Sequence, residues 1–448
     1  MGQSPANMLN HSPMSQLQIV AVIICIALNA LDGFDVLAIS FASPGIAAEW
    51  GINRAELGVV LAMEMFGMAL GSVILGNAAD RFGRKPTIQF CLILMTSGMF
   101  LAAMVDTVNH LLMVRFLTGL GIGGMLASTN AMVAEFANQK FRHLCVIIMA
   151  TGYPLGAIAG GSVVSVLLET HTWRSIFVFG GSVTAMFLVI VAWLLPESVE
   201  YLSNKQPANA LQRINATLTR MGHQGIVQLP EKVLTVKKSS FKILLSKDLR
   251  VLTLLLMLAY FAQIMTFYFI LKWIPKFVVD MGFAPAQAGQ VLVWANVGGA
   301  IGAILLGLLT HKIKLHKLLI GVLLIAFVMV SVFGRGYESL SSLAMVSAAT
   351  GFFTNAGVVG LYALMAQSFP SDVRASGTGV VIGFGRGGAA ISPIVAGYLF
   401  TAGVSLQGVS IAMGTGALVA ALSIFCIGIF QHRTSNKKSL STNKKSVI

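Results

Sequence analysis

Charge is scarce in this chain. Aspartate, glutamate, lysine and arginine together make up 10% of its 448 residues, and only 16 residues are acidic. A soluble protein normally carries about 25% charged residues, so a water-exposed globular surface is excluded. Cysteine is equally thin: Cys25, Cys91, Cys145 and Cys426 all fall in apolar runs without metal-ligand spacing. Neither a disulfide framework nor a metal site is expected from them. The loops hold no Ser, His or Cys constellation with catalytic spacing, so no enzyme chemistry and no cofactor are expected. Residues 1–16 contain no lysine or arginine and no small-residue cleavage pattern, which argues against a cleaved signal peptide and for a retained first helix. No recognition motif accompanies the basic residues, so nucleic acid is a poor partner.

Apolar sequence is what the chain has in abundance: 56% hydrophobic residues, 46 glycines and a mean hydropathy of +0.82. It divides into twelve runs near residues 17–42, 55–77, 86–106, 109–133, 142–168, 173–195, 248–275, 285–310, 317–335, 340–365, 373–401 and 406–430. Each is about the ~20 residues a helix needs to cross a bilayer. The fold class is therefore all-α and polytopic, with the lipid bilayer as its solvent. Basic residues are retained on the cytoplasmic side during insertion. With both termini inside, only Arg54, Arg174, Lys276 and Arg335 fall in the opposite loops, and Arg115, Lys272 and Arg386 lie within helices. The net charge of +14 is thus mainly a topology signal, pointing to a bacterial-type inner membrane with both termini cytoplasmic.

One long polar interruption organises the chain. It separates an N-terminal six-helix bundle (1–195) from a C-terminal one (248–430), leaving a cytoplasmic linker (196–247) and a basic cytoplasmic tail (431–448). Within the linker, the stretch from Pro207 to Ile214 has helix-start character and an apolar stripe, predicting short amphipathic helices. The halves resemble each other at a shift of about 232 residues, which sets Gly119 on Gly351 and Gly156 on Gly388. Two pseudo-symmetric six-helix bundles are a common design of secondary transporters.

Charges inside the apolar runs carry the chemistry. Asp32 and Asp35 stand at i and i+3 in the first run and share one helix face. Ionisable groups at that depth mark ion or proton pathways; a structural pair neutralised by a basic neighbour is the alternative. At ~1.5 Å per residue, Arg115 lies about 9 Å inside the fourth run and Asp35 about 10 Å from the same end of the first. An Asp35–Arg115 contact is therefore expected, with Asp32 one turn deeper as the more readily protonated acid. In the eleventh run, Arg386 stands among Gly383, Gly385, Gly387 and Gly388 near mid-membrane. Its fork matches a carboxylate bidentately, so it is a candidate for binding an acidic substrate, against a fixed ion pair with Asp32, Asp35 or Glu64. Phe34, Tyr153 and Tyr268 offer rings for stacking, and Asn296 and Asn355 offer amides for ring hydroxyls, although inter-helix hydrogen bonds would account for the amides equally well.

Between the second and third runs stands Gly76-x-x-x-Asp80-Arg81-x-Gly83-Arg84-Lys85. The glycines permit close approach and a tight turn, and Asp80 can accept charge-assisted hydrogen bonds from Arg81 and Arg84. Glu135 and Arg142 after the fourth run, and Arg374 in the matching loop of the second half, complete a candidate conformational latch. This loop resembles the signature of the major facilitator superfamily, and Arg115 with its following glycines resembles that superfamily's fourth-helix motif, which implies proton coupling. Asp32-Gly33-Phe34-Asp35, Trp173-Arg174, Pro196-Glu197-Ser198, Trp273-x-Pro275, Arg374 and Arg386 together resemble the aromatic acid:proton symporters. That resemblance runs from about residue 17 to 430 and implies that both helix-1 aspartates are required for transport. Asn138 departs from it, standing where related chains often carry proline, and Glu64 and Lys272 are unusual.

The resulting expectation is a monomeric two-bundle transporter that takes up a small aromatic carboxylate with protons by rocking of its halves. A symporter of non-aromatic acids such as muconate or sugar acids, and a proton-driven drug efflux antiporter, stay open. The Gly152-Tyr153-Pro154-Leu155-Gly156 stretch bears on the antiporter alternative, because related glycine-proline patterns occur in antiporters.

Overall fold

The protein is described by a computed structural model covering residues 5–230, 244, 246, 249–370 and 373–445; part of the linker expected at 196–247 therefore lies outside the described residues. Twelve helices are long and apolar enough to span a membrane, and the described residues contain no strand. The first six are α2 (Gln16–Trp50), α3 (Arg54–Phe82), α4 (Arg84–Met104), α5 (Val108–Phe136), α6 (Arg142–Thr170) and α7 (Arg174–Leu194), preceded by a short α1 (Pro5–His11). Two linker helices follow, α8 (Val199–Lys205) and α9 (Ala210–Arg220), the second overlapping the stretch from Pro207 to Ile214. The last six are α10 (Arg250–Asp280), α11 (Pro285–Leu309), α12 (Leu315–Phe333), α13 (Leu340–Ser368), α14 (Arg374–Thr401) and α15 (Leu406–Lys445).

Local chemistry sets the helix ends. Ser15 with Gln18 opens α2, and Asn53 with Glu56 opens α3, each as a reciprocal capping box that satisfies main-chain N–H groups left over at a helix start. Helix α2 stops at Gly51, whose φ of 61° is left-handed. The turn from α3 into α4 goes through Gly83 at φ 114°.

The chain forms two compact units. One comprises Met1–Val236 with Pro275–Val293, the other Lys237–Ile274 with Trp294–Ile448. The division within α10 falls at Pro275, inside the helix, where the missing N–H interrupts the hydrogen-bond ladder. In the first unit α3 packs along α5, α2 against α6, and α4 against α5 and α7; in the second, α12 packs against α13 and α15.

Glycine sets how closely these helices approach. A Cβ at Gly119 would overlap the Glu64 carbonyl, and one at Gly67 the Phe116 carbonyl, so α3 and α5 touch main chain to main chain. The second unit repeats the arrangement: a Cβ at Gly351 would overlap the Ala295 carbonyl. Gly156 likewise sits on the carbonyl of Ala30, and its counterpart Gly388 on that of Phe261. The internal repeat read from the sequence is thus a repeat of backbone contacts.

Candidate functional site

The α3–α5 contact places Glu64 beside Arg115. Both side chains are fully buried, and the guanidinium Nη2 donates to a Glu64 carboxylate oxygen. The same nitrogen donates to the main-chain oxygen of Asp35 at 3.1 Å, Nη1 lies 3.5 Å from the sulfur of Met99 on α4, and the Phe177 ring of α7 stands 5.4 Å away. The expected Asp35–Arg115 contact therefore needs correction in its chemistry: the arginine meets the backbone of Asp35, and the carboxylate it holds belongs to Glu64. The reason is geometric. α3 lies against α5 through glycines, whereas α2 presents its main chain to the end of the arginine.

Asp35 itself is completely buried, and neither carboxylate oxygen has a hydrogen-bond partner among the described residues. One of them faces Gly180 on α7. Asp32 is buried one turn away on α2. Between them, Gly33 packs on the main chain of Tyr153 in α6, and Phe34 is enclosed by Gly160 and Gly180 with its ring edge-on to Phe179 at 5.6 Å. Phe34 thus packs inside the bundle in this conformation.

At the end of the first unit where α3 turns into α4, the signature loop closes a network. Arg84 donates to Asp80 at 2.6 Å and to Glu135 at 3.2 Å, and Ser198 donates to the other Glu135 oxygen. Glu197 accepts from the main-chain N–H groups of Arg84 (2.9 Å), Lys85 (3.2 Å) and Ser198 (2.8 Å). A Cβ at Gly83 would strike that carboxylate. Arg81 takes part through its carbonyl, which accepts from the Tyr201 hydroxyl at 3.0 Å, while Gly76 lies alongside Ala127 of α5. Two expected members bond elsewhere: Arg142 donates to Asn10 of α1, and Arg374 to the carbonyl of Phe369 at 3.3 Å. Their loop positions matched, but the acceptors within reach differ: Arg374 bonds a carbonyl of its own turn, and Arg142 reaches the amide oxygen of a residue distant in sequence. Asn138, the departure from the family pattern, donates to the Ser12 carbonyl at 3.1 Å and so anchors the segment after α1.

In the second unit the glycines around Arg386 pack α14 onto α10. Gly385 faces the Tyr260 ring, Gly388 the Phe261 main chain, and Phe384 lies 5.2 Å from Phe261. Arg386 is half-buried there, near enough for its charge to act on both Tyr260 and Tyr362, whose hydroxyls are hydrogen-bonded at 2.8 Å. Tyr268 of α10 also acts electrostatically on Tyr260. Asn355 donates to the Gly299 carbonyl at 2.8 Å, the inter-helix alternative for that residue, and Asn296 is buried on α11. Lys272 is fully buried beside Trp273, which packs on Phe400 at 5.3 Å. The paired tyrosine hydroxyls are what the sequence did not single out, because aromatic content alone does not say which rings meet at their polar ends.

Twelve membrane-length helices in two units that share a pattern of backbone contacts, with buried acids beside a buried arginine, are features of a secondary transporter, and comparison with known proteins agrees. The chain belongs to the Major Facilitator Superfamily, whose family model matches residues 24–336. The gallate transporter of Pseudomonas putida is 30% identical over 94% of this chain and 94% of its own. The 4-hydroxybenzoate transporter PcaK of the same organism is 29% identical over 95% of each chain, and the benzoate transport protein of Acinetobacter baylyi 26% over 94% of this chain and 91% of its own. These relatives are transporters, not enzymes. Among solved structures, a D-xylose-proton symporter superposes with a TM-score of 0.71 at 15% identity, covering 91% of this chain and 97% of that one, which is agreement of fold. The protein is a multi-pass membrane transporter of this superfamily.

Proposed function

We propose that this protein takes up a small aromatic carboxylate of the benzoate or hydroxybenzoate type together with protons, by alternating access. It acts as a monomer in the inner membrane with both termini cytoplasmic. The observation that carries this reading is the sealed cluster of Asp35, Glu64 and Arg115, taken with relatives named for 4-hydroxybenzoate, gallate and benzoate. An acid that is buried without a hydrogen-bond partner is tolerable only when neutral, which suits a carrier of protons. Arg386 with Tyr260 and Tyr362 supplies the complementary chemistry, a cation and two phenols for a carboxylate.

Energetics favour the pairing. Moving a monovalent anion toward a negative interior costs about 2.3 kcal/mol per 100 mV; one proton cancels that charge, and a second makes the step electrically favourable. The Asp80–Arg84–Glu135 network serves as the latch that opens and closes during the cycle. Uptake of labelled 4-hydroxybenzoate into proteoliposomes under an imposed pH gradient tests the reading. Accumulation that a protonophore abolishes is the expected result. Accumulation unaffected by the protonophore, or competition by muconate but by no aromatic acid, overturns it.

A further inference from the structure

The proton-coupled reading gives Glu64 no task of its own, yet this residue holds the only carboxylate oxygen among the described residues to which Arg115 donates. We propose that Glu64 is the positioning residue that receives Arg115 whenever Asp35 is protonated, so that proton loading moves one guanidinium between two acids. This rests on the proton-coupled reading above and assigns a division of labour within it.

The geometry shows one end of that exchange. With Arg115 on Glu64, the cluster has one cation and one anion, and the buried Asp35 carboxyl is left without a hydrogen-bond partner, an arrangement suited to its protonated form. The arginine remains attached to α2, because the same Nη2 holds the Asp35 main-chain oxygen at 3.1 Å. Loss of the Asp35 proton to solvent creates a second carboxylate on the residue whose backbone the guanidinium already touches, and Arg115 is drawn from Glu64 toward it. Without Glu64 the protonated state would leave the guanidinium without a carboxylate from either acid in a site walled by Met99 and Phe177, which is strongly unfavourable. Around the cluster, Asp32 is buried one turn along α2, Tyr153 on α6 packs its main chain on Gly33 between the two aspartates, and Gly180 and Phe177 form the α7 side.

Infrared difference spectroscopy of the full-length protein in lipid, scanned over pH, tests this without needing a substrate. The carboxyl band that disappears in Asp35→Asn reports the Asp35 proton. In Glu64→Gln its midpoint should move toward acid by at least about one pH unit, and in Glu64→Asp it should return most of the way. The double variant Glu64→Gln/Arg115→Gln removes both charges of the pair and should move the midpoint toward alkali instead. Opposite shifts establish the exchange. Midpoints equal to that of the unaltered protein, or shifts of the same sign in both variants, overturn it and leave Glu64 a structural partner. Should Glu64→Gln fail to fold, the charge-free double variant carries the test: an alkaline shift supports the proposal and no shift refutes it. Because the readout is protonation, its failure is separate from a failure of the uptake assay, which would count against the substrate reading.

Discussion

The two units use the same backbone contact and fill it with different chemistry. Gly119 lets α5 touch α3 at Glu64, and Gly351, its counterpart about 232 residues on, lets α13 touch α11 at Ala295. Around the first contact lie Arg115, Glu64 and Asp35; at the corresponding position in the second, Arg115 is replaced by the buried Ser347. Two helices thus reach the same separation with a buried ion pair and without one. The glycines are what the fold requires. Burying a charged pair generally stabilises no better than apolar packing of similar volume, so its retention in one repeat only points to function. The second unit has placed its membrane-embedded charges elsewhere, at the buried Lys272 and at Arg386 beside the Tyr260–Tyr362 pair.

The largest effect that would test this contrast comes from removing one partner. Arg115→Gln breaks the buried Arg115–Glu64 pair by removing one member and should cost about 3–5 kcal/mol of stability, measured as unfolding in detergent, with transport lost. Neutralising Glu64 as well should restore most of the stability without restoring proton-driven uptake. Ser347→Ala, at the equivalent place in the other unit, should cost no more than about 1.5 kcal/mol. If the two single substitutions destabilise equally, the pair is part of the scaffold after all.

A middle-sized effect comes from the glycines. Gly119→Val and Gly351→Val each drive a side chain into a facing carbonyl and should each cost about 1–3 kcal/mol, readable as lower unfolding temperatures of similar size. Only the first displaces Glu64 from Arg115, so only the first should weaken the coupling of uptake to the pH gradient. Equal loss of coupling in both would mean that the two contacts do not have separate tasks.

Much of this was readable before any coordinates. The twelve spans follow from hydropathy, the signature loop from Gly76, Asp80, Gly83 and Arg84, and the choice of Arg115 and Arg386 as candidates from the cost of charge in an apolar run. The partner of Arg115 was not readable. Depth along the helices made Asp35 a reasonable choice, but depth is one coordinate; which carboxylate faces the arginine depends on the rotation and separation of α3 and α5, which their glycines fix. The spacing of Gly67 and Gly71 after an acid in α3, opposite Gly119 and Gly123 in α5, was the available signal. The contacts of Glu197 and Ser198 with the signature loop were hidden for a related reason. Their contacts reach back more than 60 residues in sequence, to the Arg84 main chain and to Glu135, and no local pattern reports such a meeting.

The smallest effect belongs to the second unit and probes the division most finely. Tyr362→Phe deletes one hydroxyl of a pair whose partner, Tyr260, remains to hydrogen-bond a bound acid. Losing one such bond is worth about 0.5–1.5 kcal/mol, so KM for 4-hydroxybenzoate uptake should rise about 2- to 10-fold. Arg386→Lys should raise it further, because an ammonium cannot reproduce a bidentate fork. In both variants the pH dependence of uptake should stay that of the unaltered protein, since no acid or base of the Asp35–Glu64–Arg115 cluster has changed. A Tyr362→Phe profile displaced along the pH axis would tie the tyrosine pair to proton handling, and proton and substrate chemistry could then no longer be assigned to separate repeats.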